Sequence, residues 1–104
     1  MNTTITTDEM LAELSITFPR LWKRKLSEFG KDYAKAEGVW TGQDGDLMQD
    51  GNPIFNSLAN GEPPYNGNVH EGFEAWLQNR GWYCECYDGC TYFLLPWEVE
   101  HERA

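Results

Sequence analysis

A chain of 104 residues, 40% hydrophobic and 14% aromatic, is long enough to fold as one domain that buries roughly two-thirds of its unfolded surface, and it needs no disulfide to do so. Its net charge of −9 excludes easy contact with nucleic-acid phosphates and favours a basic partner. No apolar run approaches the roughly 20 residues of a membrane span, and the opening MNTTITTDEM lacks the pattern of a signal peptide. We therefore expect a cytoplasmic protein without membrane contact, its three cysteines reduced.

The charge is lopsided. Six of the eight Lys and Arg residues lie between Arg20 and Lys35, whereas from Ala36 onward there are twelve acids against two bases, a local net charge of −10.

Residues 5–15 read as a first helix. Thr6 and Glu9 have the spacing of a capping box, Ile5 and Met10 that of a hydrophobic staple, and Leu11 and Leu14 supply an apolar side. Pro19 should stop it near Ser15. A second helix is expected over 19–37, with Pro19 in its first turn and Gly38 as its stop. Trp22, Leu26, Phe29, Tyr33 and Ala36 step by four and three along one seam. Arg20, Lys23, Arg24, Lys31 and Lys35 flank it, and Glu28 and Asp32 interrupt the basic side at ion-pair spacing. A core-packed helix with a solvated cationic side is the preferred reading over one that touches nucleic acid.

The segment 39–67 changes character, punctuated by Gly, Asn, Asp and Pro. A brief strand at 39–41 and a short helix opened by Asn52-Pro53 are expected, with Ile54, Phe55 and Leu58 as anchors. A third helix follows at 69–80, where Val69, Phe73, Trp76, Leu77 and Arg80 form a stripe. Asn68 and Glu71 would cap it, and Gly81 would end it.

The aromatic run 82–95 is a β-hairpin whose turn has two readings. A two-residue Asp88-Gly89 turn sets Cys86 opposite Thr91 and Cys84 opposite Phe93. A three-residue loop sets Cys86 opposite Cys90, and all three cysteines then share a face with Trp82, Tyr92 and Leu94. The tail, 96–104, alternates acids at Glu98, Glu100 and Glu102. The fold class is thus α+β, with N-terminal helices and a third helix packed on a small antiparallel sheet built around the C-terminal hairpin.

Candidate chemistry is sparse. Asp44, Asp46 and Asp50 fail the calcium-loop pattern, since Met48 falls where an oxygen ligand belongs. Cys84, Cys86 and Cys90 with His70 or His101 are spaced C-x-C-x₃-C, unlike zinc knuckles, and buried small hydrophobes are the better reading. His70 is expected to pair with Glu74. No phosphate loop, metal helix or nucleophile elbow is present, so no cofactor, metal or catalytic residue is assigned.

In general character the chain resembles small acidic accessory and inhibitor proteins carried by phages and mobile elements, some of which imitate DNA. No motif ties it to a family. The leading expectation is a non-enzymatic acidic module that docks on a basic, nucleic-acid-binding type of surface on a protein partner. Asp44, Asp46, Asp50, Glu98, Glu100 and Glu102 would supply charge, and Trp40 and Tyr65 would serve as exposed anchors. The alternative is a small enzyme or ligand-binding domain with a pocket formed by the 39–67 loops, His70 and the cysteine hairpin. An oligomer joined through the hairpin is a third reading.

Overall fold

The computed structural model describes residues 4–42, 45–88 and 90–97. In chain order these form α1 (Thr7–Thr17), β1 (Lys23–Lys25), two single 3₁₀ turns (Leu26–Glu28 and Lys31–Tyr33), β2 (Val39–Gly42), β3 (Tyr65–Asn66), β4 (Val69–His70), α2 (Glu71–Gln78), β5 (Trp82–Asp88) and β6 (Thr91–Pro96). The class is α+β with antiparallel sheets, but the described residues hold two α-helices rather than three. The main sheet has the order β1-β2-β6-β5, and β3-β4 is a separate ribbon.

The first helix begins as its sequence requires. The Thr6 hydroxyl accepts from the Glu9 N–H, and the Glu9 carboxylate accepts from the Thr6 N–H, so two orphan donors are satisfied reciprocally. Met10 and Leu14 are then buried one turn apart, and Phe18 caps the end through its N–H to the Leu14 carbonyl.

The helix expected over 19–37 does not form. Lys23–Lys25 extends the sheet instead, pairing Arg24 with Trp40 and Lys25 with Val39. A helix through Gly30 would forfeit about 1 kcal/mol relative to alanine there. More decisively, the two 3₁₀ turns fold Phe29 and Tyr33 over the sheet, where both rings meet Phe93 edge-on at 5.0 and 5.5 Å. Phe29 also meets Trp40 and Tyr87, at 5.0 and 5.1 Å. The seam of aromatics is real, but it covers a β-surface rather than lining a helix.

The hairpin adopts neither expected register. Cys86 lies opposite Tyr92, Cys84 opposite Leu94 and Trp82 opposite Pro96, and an irregularity between Cys86 and Asp88 brings Asp88 opposite Thr91. The extra residue of this bulge restores the side-chain parity of the three-residue reading. Trp82, Tyr92 and Leu94 therefore face the main core together, beside Val39 and Thr41 of β2. The Thr41 hydroxyl donates to the Trp22 carbonyl, which lets a polar side chain sit fully buried.

Within 39–67 a strand at Val39–Gly42 replaces the briefer one expected, and among the described residues no helix opens at Asn52-Pro53. Pro53 bridges to Leu47, and Phe55 bridges to Val69. Ile54 and Phe55 do anchor the segment, with Phe55 stacked on Tyr92 at 3.9 Å. Leu58 does not, being 84% exposed. The last helix starts later than expected, because Val69–His70 pairs in an extended ribbon with Tyr65–Asn66. Gly81, at φ 77°, ends that region in the left-handed conformation that glycine tolerates.

Candidate functional site

Three segments meet at one open cleft. The end of α1 contributes Thr17 and Phe18, the loop 47–50 contributes Leu47, Met48, Gln49 and Asp50, and α2 with its N-cap contributes His70, Gly72 and Trp76. Its volume of about 590 Å³ is within the roughly 300–1,000 Å³ typical of ligand clefts.

The loop that walls the cleft is held by Asp46. That carboxylate accepts from the backbone N–H of Arg20 (3.1 Å), the Arg20 guanidinium (3.2 Å) and the N–H of Leu47 (2.9 Å). The two backbone donors hold its pKa below the ordinary value. Asp46 is buried, so its expected role as a surface charge is replaced by a structural one. Its backbone continues the brace, since the Ile54 N–H donates to the Asp46 carbonyl.

His70 is the N-cap of α2. Its Nδ1 accepts from the Gly72 N–H (2.9 Å), which leaves the ring proton on Nε2. Nε2 donates to Asp50 Oδ2 at 2.8 Å. Asp50 also accepts from the Asn52 N–H at 2.9 Å. The His70 hydrogen bond, followed by that from Asn52, holds the Asp50 carboxyl down at about 2. The expected partner of His70, Glu74, instead accepts from the Asn66 side chain. The expected Asn68–Glu71 cap is supplanted by His70, because the chain remains extended through Val69.

Both ring nitrogens of His70 are thus committed in this arrangement, one to the helix and one to Asp50. A general base needs a free lone pair near its substrate, and Nδ1 here supplies its lone pair to a backbone amide. No cysteine lines the cleft. Cys84 is half-buried under the sheet, where desolvation pushes its thiol pKa up strongly, while Cys86 and Cys90 are exposed near the hairpin turn. Among the described residues no group of three His, Cys, Asp or Glu side chains could hold a metal ion.

The expected anchors are placed differently from one another. Tyr65 is buried rather than exposed, with its hydroxyl donating to the Pro53 carbonyl (2.6 Å) and its ring edge-on to His70 at 5.5 Å. Trp40 is half-buried on the far face of the sheet, edge-on to Trp22 at 5.0 Å. Asp50 is at the cleft, while Asp44, Glu98, Glu100 and Glu102 lie outside the described residues. Leu47, Met48 and Trp76 were not expected to share a surface with Asp50. The helical stripe singled out Trp76, but only the loop's return onto α2 reveals what it faces.

Trp76 is itself braced. The Arg80 guanidinium sits 3.8 Å over its ring and Phe18 meets it edge-on at 5.3 Å, while Arg80 pairs with Glu13 of α1 at 2.6 Å. No described helix is long and apolar enough to cross a membrane. Comparison of the chain with protein-family models, curated proteins and solved structures finds no match.

Proposed function

We propose that this chain is a non-enzymatic acidic binding module, of inhibitor type, that docks on a basic surface of a protein partner. The reading takes that surface to be one that otherwise holds nucleic acid, so that the carboxylates stand in for phosphates, as in accessory proteins of phages and mobile elements. It also takes the setting to be cytoplasmic.

The observation that carries the reading is an asymmetry in ion pairing. Arg20, Arg24, Lys25 and Arg80 are each matched to a carboxylate, on Asp46, Glu28, Asp8 and Glu13 respectively. Three of those four acids come from the first 35 residues. Beyond them Glu62, Glu71, Glu74, Glu85 and Asp88 pair with no described cation. Unmatched like charges repel, and a basic surface relieves that repulsion while speeding encounter.

Capture of partners from a host lysate at low and high salt tests this. A basic partner released as ionic strength rises is the expected result, because exposed charges are screened beyond about 8–10 Å at physiological salt. Capture that is indifferent to salt would sink the reading.

A further inference from the structure

The cleft beside Asp50 combines two features that ordinary surface does not. Leu47 is 48% exposed at its rim and Trp76 is half-buried in its wall, so apolar surface is left open to solvent. Within that surface stands a carboxylate whose position is set in advance. Asp50 is oriented on one side by the His70 imidazole and on the other by the Asn52 N–H, yet its side chain remains 42% exposed. A carboxylate offers about four lone-pair positions, so these two bonds leave acceptor capacity facing the cleft.

We propose that this cleft receives one lysine or arginine side chain of the partner, its alkyl stem against Leu47, Met48 and Trp76 and its cationic head on Asp50. This rests on the acidic-docking reading above and assigns that reading a specific point of contact. The chemistry selects the occupant. An anion would meet Asp50 with like charge, and a purely apolar group would desolvate the carboxylate without compensation. A long cationic side chain satisfies both, since its stem is apolar and its tip charged. A second copy of this chain suits the cleft poorly, because four of its seven described cations already hold carboxylates.

The test is a titration of the full chain with an acetylated, amidated Arg-Gly-Arg-Gly-Arg peptide, followed by NMR at the Trp76 indole and the Leu47 methyls. Those signals should move, and Asp50→Asn and Leu47→Ser should each weaken binding on the order of tenfold. A Glu85→Gln/Asp88→Asn variant, altered on β5 away from the cleft, should weaken binding less than either cleft variant, because its exposed charges act on the peptide only through screened solvent. Leu47 is at the surface, so its replacement reports on the cleft even if Asp50→Asn loosens α2. Binding lost in the β5 variant and kept in both cleft variants would overturn the cleft while leaving the acidic face intact. A norleucine peptide binding as well as the arginine peptide would remove the role of the cationic head. Failure of the wild-type chain to bind the basic peptide in low salt would overturn both proposals.

Discussion

On the face of the main sheet that meets α1 and α2, Val39, Trp82, Tyr92 and Leu94 are almost wholly withdrawn from water among Met10, Leu14, Phe73 and Leu77. On the opposite face Phe93 is covered by Phe29 and Tyr33, yet Trp22 and Tyr87 remain 41% and 53% exposed. The first face is sealed by helices whose apolar stripes match it. The second is roofed by two short turns whose rings meet edge to face, an arrangement that gains about 0.5–1.5 kcal/mol per pair beyond area burial. Global stability should therefore reside on the helical face, while the aromatic face can yield without unfolding the chain.

The largest contrast should come from paired truncations. Leu77→Ala, beneath α2, is expected to cost about 2–5 kcal/mol, whereas Phe29→Ala, half-buried in the roof, should cost about 1–2 kcal/mol. Urea midpoints at constant slope measure both, and equal losses would erase the distinction between the faces. Next is Gly38, which ties β2 to the roof at φ 136° and where an added Cβ would come within 2.8 Å of the Leu94 carbonyl oxygen. Gly38→Ala should destabilise by about 1–3 kcal/mol, also read from urea midpoints. Tolerance there would mean that the sheet edge relaxes freely.

Two smaller effects sharpen the comparison outside the sheet. The carboxyl pKa values of Asp46 and Asp50 are depressed in the folded chain. Their contribution is thus complete above the unfolded carboxylate value of about 4 and is lost as pH falls through the folded values, near about 2 for Asp50. Urea unfolding at pH 5 and pH 3 should show the loss, and it should shrink in Asp50→Asn. The smallest effect is chemical. Cys84, half-buried against the helical face, should alkylate far more slowly in the native state than the exposed Cys86 and Cys90, as mass spectrometry after brief iodoacetamide treatment would reveal.

Elements with local causes were legible before any fold was known. The Thr6–Glu9 box, the stripe of Phe73, Trp76 and Leu77, the stop at Gly81 and the existence of the hairpin all follow from residues within one or two turns of one another. Of the site, the sequence points to Asp50 but pairs His70 with Glu74, whereas in the fold His70 meets Asp50 and Glu74 meets Asn66. The 19–37 segment misled because spacing of three and four places aromatics together on a helix, but two 3₁₀ turns can deliver the same residues to a sheet.

What the amino-acid order determined by itself was the α+β composition, the capped first helix and the uneven charge. These depend on near neighbours or on counting. Tertiary structure alone decided that Asp46 is sequestered by Arg20, that Asp50 meets His70 and that the hairpin carries a bulge. Each of these joins groups far apart in the chain or turns on a one-residue choice of parity, which local preference cannot rank and packing against the rest of the core can.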